Sequence, residues 1–533
     1  MAETAEVKNS TPKSTKMPNS IWYIVGNEAA ERFNYYGLRA ILTTYLVAQY
    51  MLQSGMDKPT AEAASNAKTH DFVALSYLLP LFGGMIADWF WGKYKTIFWL
   101  SLVYCAGCLI FAFSTGGNAT DPANLQMLGI GLILIATGAG GIKPCVSANV
   151  GDQFTEENTH LIPRAFDYFY FSINTGSLLS ITLIPYLNKH FGPRIAFMVP
   201  AVAMLTATIV FWMGRNKYIK VPPKGDSNKQ VIFATSLLTL IASYYYMDGV
   251  LGMGMLPVML VWAALVIVVA LIFQKQWFAA PGNFIGINLY ALLNGGFKKA
   301  EDRFGAETID GIQAVWRVLA IFAFIPFFWA LWDQSTSEWV VQATKMDLNL
   351  FGIEFIAEQM QLFNALLILL FIPLFSFGIY PMVEKMGIKV TSLRKLGAGF
   401  FVTALSFVVI AVIQTWIDGG DKPNIIWQLL AYIILTAGEI LISITGLEYA
   451  YTRSPATMKS TIMACYLLSV TMGNVLVSFI QKNIENKGFF AQFHGASFFW
   501  LFAGICATAG VLFALISPRI KEKIYVGNTS DTD

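Results

Sequence analysis

The chain has 533 residues and a net charge of +3, and only 13% of its residues are charged whereas 56% are hydrophobic. A soluble protein has about 25% charged residues, so this composition argues against a soluble multidomain enzyme, a disordered chain and a nucleic-acid binder. The apolar runs are also long and unbroken, unlike the alternating segments of about 10 residues in a membrane barrel. The sequence therefore predicts an all-α protein that crosses the lipid bilayer many times.

About fourteen segments are apolar over the length of about 20 residues that a membrane span requires. They lie near 20–52, 72–91, 96–115, 125–150, 165–187, 194–214, 231–248, 254–273, 314–343, 361–383, 395–416, 425–450, 460–480 and 497–517. The two longest polar linkers flank one pair of helices, which leaves six helices before the pair and six after it, as in two parallel transporter repeats.

This organisation predicts five parts of the chain. They are a cytosolic N-terminal tail (1–19), an N-terminal six-helix bundle (20–215), a linker with two additional transmembrane helices (216–312), a C-terminal six-helix bundle (313–517) and a cytosolic C-terminal tail (518–533). Clusters of lysine and arginine fall on every second loop, which by the positive-inside rule places both termini in the cytosol. The N-terminal tail has no apolar core of a signal peptide. We expect an integral protein of the cell (inner or plasma) membrane.

The sequence offers no sign of a cofactor or a metal. Cys105 and Cys108 have the spacing of a metal half-site, but no second pair follows them, so they are expected to be small buried hydrophobes. There is no phosphate-binding loop of the G-x-x-x-x-G-K-[ST] type and no long soluble domain, which argues against ATP as the energy source. We expect no partner other than the lipid bilayer and a small solute, and a monomer is assumed.

Ionisable residues inside the predicted spans are the main functional candidates, because a charge in the membrane is costly and is retained for a reason. They are Glu28, Glu31, Arg32, Arg39, Lys143, Asp333 and Glu439. Without the additional pair, these residues fall on the first and fourth helices of each half, which predicts a polar cavity between the halves near the midplane. The alternatives are a headgroup position for Glu28 and a lysine that snorkels to the interface for Lys143.

The balance of these charges indicates a mechanism. Four acids and three bases leave one carboxylate in surplus, and a buried unpaired carboxylate takes up a proton. A zwitterionic ligand could displace an ion pair, with its carboxylate on the base and its amine on the acid. The hypothesis is therefore proton-driven uptake of such a ligand.

Several motifs resemble those of the proton-dependent oligopeptide transporter family (POT, also PTR) of the major facilitator superfamily. They are Glu28-x-x-Glu31-Arg32-Phe33-x-Tyr35-Tyr36-Gly37, the loop Gly84-Met85-Ile86-Ala87-Asp88-Trp89-Phe90-Trp91-Gly92-Lys93, Phe169-Tyr170-x-x-Ile173-Asn174-x-Gly176, Trp329-Ala330-Leu331-Trp332-Asp333-Gln334 and Glu439-Ile440-Leu441-Ile442-Ser443. The resemblance covers nearly the whole chain, and the additional helix pair is similar to that of prokaryotic members. It implies a major facilitator fold and a symporter of di- and tripeptides.

The resemblance also implies roles for the matching residues. Proton coupling is implied for Glu28, Glu31, Arg32 and His70, and binding of the peptide carboxylate for Arg32, Arg39, Lys143 and Tyr36. Binding of the peptide amine is implied for Asn174, Asn364 and Glu439, and side-chain pockets for Tyr35, Tyr77, Tyr170, Trp329, Ser443 and Tyr466. Salt bridges that close the outer side are implied for Arg39 with Asp333 and for Lys143 with Glu439, and a conformational loop motif for Gly84, Asp88, Gly92 and Lys93.

Two of these positions are less simple. His70 matches a histidine that only some family members have, and it could instead be a loop histidine at a helix end. Tyr466 stands where many members have a tryptophan, so we expect a larger pocket with a hydroxyl group. Other hypotheses remain on the same residues: a transporter of nitrate, an amino-acid derivative or another small anionic or zwitterionic solute, a channel, or a membrane enzyme. The last lacks a catalytic constellation, so we expect no enzyme.

Overall fold

A computed structural model describes residues 16–118, 120–155, 157–223, 227–244, 247, 254–272, 284–453 and 459–520. Most of the two predicted tails therefore lies outside the described residues, and the additional helix pair is described in part. The elements named below follow chain order.

The first six helices form one unit. They are α1 (Ser20–Ser54), α2 (Lys58–Ile86), α3 (Lys93–Ser114), α4 (Leu125–Gly151), α5 (Ile162–Phe191) and α6 (Pro193–Met213). Helix α3 packs along α4, and α1 packs against α5 and α6. Aromatic pairs such as Phe111 with Phe197, whose ring centroids are 4.7 Å apart, fill the core of this unit.

Helix α2 begins much earlier than the expected start near residue 72. Asp57 caps it by accepting a hydrogen bond from the backbone N–H of Thr60, and Pro59 lies in its first turn, both of which favour a helix start at this point. The segment 58–71 is polar in sequence, but many of its side chains, including Ser65 and Asn66, are buried. Because hydropathy reflects only composition, the sequence analysis places this buried polar part of α2 in a loop.

In the described residues, four helices lie between this unit and the second one. They are α7 (Ser227–Tyr244), α8 (Met255–Ile272), α9 (Phe284–Leu293) and α10 (Phe297–Phe304). The first two are the additional pair that the sequence predicts. The last two fall in a segment that was expected to be a polar linker.

The second unit contains several interrupted helices. Its elements are α11 (Ala306–Phe322), α12 (Ile325–Trp332), α13 (Glu338–Ala343), a hairpin of β1 (Asn349–Leu350) and β2 (Ile353–Glu354), α14 (Gln361–Pro373), α15 (Tyr380–Lys385), α16 (Ser392–Asp418), α17 (Ile426–Glu439), α18 (Thr445–Thr452), α19 (Lys459–Glu485) and α20 (Ala496–Ile516). Wide π-helical turns join α14 to α15 and α17 to α18. Such turns are frequent at functional sites.

Nine helical stretches of the described residues are long and apolar enough to cross a membrane. Helices α1, α5 and α19 are also long, but they are too polar to be counted on hydropathy. In α1 this polarity comes partly from buried residues such as Glu28, Glu31 and Arg39.

The two units meet through pairs of helices, with one helix of each pair in each unit. The second helix of the first unit, α2, packs along α19, and α5 packs against α14. The additional pair covers the α2–α19 seam, because α7 contacts α2 while α8 contacts α19. An apolar cluster fills this contact, in which the Phe82 ring of α2 lies edge-on to Phe233, with centroids 6.1 Å apart, and is tilted against Trp262 at 6.2 Å.

Polar contacts between the units lie toward one end of the bundle. We call the end where α1 begins the near end and the end where α1 finishes the far end. At the far end, Thr44 donates a hydrogen bond to Glu358 at 2.7 Å, and Lys345 pairs with Glu62 at 3.0 Å. The far end is therefore closed in this structure.

The close approach of α2 and α4 depends on small residues. A Cβ atom on Gly83 would lie 2.1 Å from the carbonyl oxygen of Gly140, whereas one on Gly129, elsewhere on α4, would meet nothing within 4 Å. We expect Gly83→Ala to cost about 1–3 kcal/mol, as overpacking does, and to lower the thermal unfolding midpoint in detergent. Gly129→Ala is the matched control and should leave that midpoint unchanged. Equal midpoints for the two variants would contradict this packing.

Candidate substrate and proton site

Helix α1 carries a cluster of two acids and one base. The Arg32 Nε atom lies 2.7 Å from Glu28 Oε1 and 3.1 Å from Glu31 Oε2. Both carboxylates are buried, and Glu31 Oε1 has no hydrogen-bond partner among the described residues. The spacing of three and four residues places these groups on one helical face. One guanidinium therefore serves two carboxylates, and the cluster keeps an acid in surplus.

Lys143 of α4 is held by aromatic rings. Its Nζ atom lies 3.9 Å from the ring centroid of Tyr35 and 4.5 Å from that of Tyr77. Within the part of the chain that the structure describes, Nζ has no hydrogen-bond partner. A cation over two ring faces gains about 2 kcal/mol when it is desolvated. The ammonium group therefore lies among the aromatic rings beside α1, without a hydrogen bond to the α1 carboxylates.

A buried ion pair joins the two units. Arg39 of α1 donates from Nη2 to Asp333 Oδ1, just after α12, and both side chains are almost fully buried. Asp333 Oδ2 accepts a second hydrogen bond from Asn474 of α19 at 2.6 Å. These two residues were expected to form a salt bridge, and the structure brings them together.

Glu439 of α17 lies beside an amide of α14. Asn364 donates from Nδ2 to Glu439 Oε2 at 2.8 Å and to Thr436 Oγ1 at 3.0 Å. The structure thus brings together two of the three residues expected at the peptide amine. The π-helical turn Ile440–Ile444 follows Glu439 directly and changes the facing of the residues after it.

The expected salt bridge between Lys143 and Glu439 is absent from the described structure. Lys143 is directed at Tyr35 and Tyr77 of its own unit, and Glu439 accepts its hydrogen bond from Asn364 of the other unit. In this structure each group contacts residues of its own half. This pairing prediction is therefore wrong for the conformation seen here.

Most of the predicted pocket residues lie in pairs, on both units. Tyr466 of α19 donates from its hydroxyl to the Ser443 carbonyl oxygen at 3.0 Å, and its ring lies edge-on to Phe322 at 5.6 Å. The rings of Tyr35 and Tyr36 meet edge-on at 5.6 Å, and those of Trp329 and Trp332 do so at 5.5 Å.

Tyr170 and Asn174 of α5 stay apart from these groups. The Asn174 side chain donates to the Tyr170 carbonyl oxygen of its own helix, and the Tyr170 ring is 57% exposed. In the part of the chain that the structure describes, no hydrogen bond or ring contact joins either side chain to the other residues expected to bind peptide.

The lysine of the loop motif between α2 and α3 forms an ion pair with a residue outside the motif. Gly92 has φ +76°, which suits glycine, and Lys93 pairs at 2.7 Å with Asp152 at the end of α4. Asp88 of the motif is exposed, and Gly84 lies in the last turn of α2. Asp152 was not singled out from the sequence, because it lies outside the motif.

His70 is fully buried within α2 and is not a loop residue. Its ring contacts three side chains of the second unit: Asn474 at 2.8 Å, Ser337 at 3.0 Å and Glu338 at 3.2 Å. Gln481 of α19 donates to the other oxygen of Glu338 at 2.8 Å.

Sequence reasoning missed most of this group around His70. Glu338 could have been found, because it is an ionisable residue inside the predicted span 314–343. Asn474 and Gln481 carry no comparable signal. Glu358 and Asp71 are also buried acids that contact the opposite unit, Asp71 through Ser478. Both lie just before the start of a predicted span, near 72 and 361, where hydropathy does not distinguish buried from exposed residues.

The ion pair between Arg39 and Asp333 can be tested by a double-mutant cycle. Removing one partner leaves a buried charge unpaired, which costs about 3–5 kcal/mol, whereas removing both avoids that cost. We expect Arg39→Leu and Asp333→Leu each to lower the thermal unfolding midpoint strongly. The double variant should be more stable than the sum of the single effects predicts.

The control cycle uses Lys189 and Glu354, which also join the two units, at 3.8 Å, but are exposed. Exposed pairs contribute little, so this cycle should show no measurable coupling. Additive single effects for Arg39 and Asp333 would contradict the buried pair.

Comparison with known proteins gives a consistent result. The profile described as "PTR2: POT family" matches residues 94–495. The crystal structure of the POT family transporter PepTSo is 36% identical and superposes with a TM-score of 0.79, covering 95% of this chain and 99% of that chain. An auto-inhibited POT family peptide transporter is 33% identical with a TM-score of 0.81, covering 97% and 99%. The predicted all-α membrane protein with a major facilitator fold is thereby confirmed.

Animal relatives are similar over part of their length. Peptide transporter family 2 of Caenorhabditis elegans is 36% identical over 416 residues, which are 76% of this chain and 48% of the relative. Human solute carrier family 15 member 2 is 35% identical over 450 residues, 81% of this chain and 54% of the relative. The chain thus spans about half the length of these relatives. With its matching profile and its full-length structural relatives, this membrane protein belongs to the POT family.

Proposed function

We propose that this protein is a proton-coupled symporter that imports di- and tripeptides by alternating access. The observation that carries the proposal is the set of buried charges of opposite sign on the facing helices of the two units. The α1 cluster lies on one side, and Glu439 with Asn364 lies on the other.

A peptide fits this arrangement because it is a zwitterion. Its carboxylate would bind the positive groups of the first unit, Arg32 and Lys143, and the Nζ atom of Lys143 has no hydrogen-bond partner among the described residues. Its amine would bind Glu439 and Asn364 of the second unit. One ligand then bridges both halves, so binding favours their closure around it. The names of the relatives, which are peptide transporters, support the same class of substrate.

The proton completes the charge balance. Glu28 and Glu31 share one guanidinium, and a carboxylate that is buried without full compensation binds a proton. When the carboxylate of a peptide competes for Arg32, one of these acids must be neutralised. This gives a physical reason for peptide and proton to move together, and no other cofactor is proposed.

We further propose a monomer in the cell membrane with both termini and the near end in the cytosol. The distribution of lysine and arginine along the chain supports this orientation. The closed far end would then face the outside. The protein is proposed not to be an enzyme, so the substrate should be recovered chemically unchanged.

The decisive experiment is uptake of labelled dialanine into proteoliposomes. We expect accumulation above the external concentration when the outside is acidic, and none when the proton gradient is abolished. Unlabelled dipeptides and tripeptides should compete, whereas nitrate and single amino acids should not. Competition by nitrate or by an amino-acid derivative alone would overturn the peptide assignment, and downhill flux without accumulation would indicate a channel.

The acids of the site can be tested in the same assay. At least one of Glu28→Gln, Glu31→Gln, Asp333→Asn and Glu439→Gln should abolish accumulation driven by the proton gradient. Its counterflow exchange, in which no net proton movement is needed, should persist if the variant has lost coupling alone. If all four variants accumulate dialanine as the wild type does, proton coupling does not depend on these acids.

Side-chain preference should depend on Tyr466. Its hydroxyl is fixed by the Ser443 backbone and its ring packs on Phe322, so a larger ring must occupy adjacent space. We expect Tyr466→Trp to weaken competition by bulky dipeptides several-fold while dialanine uptake changes little. Tyr466→Phe is the control, since it keeps the ring size. An unchanged competition profile would show that this position does not line the pocket.

A further inference from the structure

A polar contact joins α1 to α3 inside the first unit. The Cys108 thiol of α3 donates a hydrogen bond to Asn34 Oδ1 of α1 at 3.3 Å. Both helices run from the near end to the far end, since the segment that follows α3 meets the last part of α1: the backbone N–H of Ala123 donates to Gln49 at 2.9 Å. The contact therefore fixes the register of two parallel helices.

This register places further polar side chains at matching heights. Three residues before Asn34, and four before its partner on α3, Glu31 lies level with Tyr104. Seven residues before both partners, Asn27 lies level with Ser101. Spacings of three, four and seven residues keep each set on one helical face, so the two sets form facing polar rows. All four of these side chains are buried, with an exposed fraction of 1% or less.

Polar atoms of the two rows lack hydrogen-bond partners within the part of the chain that the structure describes. They are Asn27 Nδ2 and Oδ1, Glu31 Oε1, Asn34 Nδ2, Ser101 Oγ and Tyr104 OH. Buried polar groups in native proteins bind a protein group or ordered water. These atoms include donors, such as the two amide NH₂ groups, and acceptors, such as the carboxylate oxygen. Water can serve both kinds, whereas a metal cation would be repelled by the amide hydrogens.

Space for water lies on the far-end side of Asn34. A cavity of about 10 Å³, whose wall is apolar apart from Asn34 and Cys108, includes the Phe111 ring in its lining. A volume of this size holds about one water molecule. Helices α4 and α6 each pack against both α1 and α3. Toward the near end, the fully buried Ile24 and Ile97 follow the two rows, so the rows are enclosed by apolar groups.

We propose that the first unit binds a row of water molecules between α1 and α3, which begins in the cavity at Asn34 and ends in a hydrogen bond to Glu31 Oε1. The amide and hydroxyl groups of the two rows hold these molecules. Arg32 lies 3.1 Å from the other oxygen of Glu31, so the carboxylate has a guanidinium at one oxygen and water at the other. The water site lies within one unit and is separate from the proposed peptide site between the units.

The water row gives Asn27, Asn34, Ser101 and Tyr104 a positioning role, and this consequence rests on the proposed symport. In that cycle, an acid of the α1 cluster alternates between a protonated and a charged form. When Glu31 is charged, Arg32 is its cationic partner at one oxygen only, and water donates to the other oxygen. The bound water therefore favours release of the proton.

Radiolytic labelling in isotopically labelled water tests the site in the intact protein. A short X-ray pulse converts bound water into hydroxyl radicals, which oxidise the side chains beside it. Phe111 lines the cavity, and Phe502 is the matched control, because it is also buried but packs on Phe498 with ring centroids 4.9 Å apart. We expect mass spectrometry to show several-fold more oxidation of Phe111 than of Phe502.

Asn34→Leu removes the amide that holds the first water molecule. The cavity then has an apolar wall apart from one thiol, and apolar cavities stay dry. We expect the oxidation of Phe111 in this variant to fall to that of Phe502. Accumulation of dialanine driven by the proton gradient should also fall several-fold, whereas counterflow exchange should persist.

Ser101→Ala is a smaller change in the same row. It removes one hydroxyl group that binds water, so we expect several-fold less oxidation of Tyr104. Ser180→Ala is the matched control and should leave this oxidation unchanged. Ser180 is equally buried in the first unit, but its hydroxyl donates to the Ser177 carbonyl oxygen of its own helix at 2.9 Å.

The outcomes separate the water site from the function on which its role rests. Equal oxidation of Phe111 and Phe502 in the wild type would overturn the site. Unchanged oxidation of Phe111 in Asn34→Leu or, should that variant not fold, of Tyr104 in Ser101→Ala would also overturn it.

Two further results concern the role of the water. Wild-type accumulation by an Asn34→Leu variant that has lost the labelling would overturn the role in proton release. Strong labelling of Phe111 in a wild type whose uptake needs no proton gradient would support the site and overturn the symport.

Discussion

The structure depends on one constraint: the two helical units are joined by buried charges that cannot be left unpaired. Arg39 and Asp333 come from opposite units and are almost fully buried. In such surroundings an isolated charge costs several kcal/mol, so each partner requires the other or a replacement. A contact of this kind differs from apolar packing, since water, a proton or a ligand can substitute for a partner. Such a contact would therefore suit the proposed alternating access, in which it has to form and break.

The helices are built around this requirement. Helix α1, which carries Arg39, is polar. The segment from α11 to α13, which carries Asp333, is interrupted by a tight 3₁₀ turn at Asp333–Thr336. The turn re-aims the residues after Asp333, so that Ser337 and Glu338 reach His70. The π-helical turn after Glu439 has the same effect in the segment from α17 to α18. Regular helices such as α16 lie behind these segments and supply the apolar support.

Much of the fold could be predicted from the sequence because membrane spans are set by long apolar stretches, and each expected stretch has a helical counterpart in the described residues. The start of α2 could not, because hydropathy measures composition and the segment 58–71 is polar although buried between the units. The ion pair between Arg39 and Asp333 could be predicted from the sequence, since charges inside membrane spans are rare. The separation of Lys143 from Glu439 could not be predicted from the sequence, because it depends on the conformation that the protein adopts.

The additional helix pair shows how a separable interface can keep its alignment. Polar contacts between the units concentrate at the far end, whereas Ala74 and Leu78 of α2 meet Val475 of α19 in an apolar cluster that also includes α7 and α8. Apolar contacts are not directional, so a rotation about this seam can preserve them while the polar contacts at the far end break. By covering the seam from outside, α7 and α8 enlarge this apolar surface. The polar contacts at the far end therefore fix the position of the two units more strictly than the apolar seam does, because hydrogen bonds and ion pairs are directional.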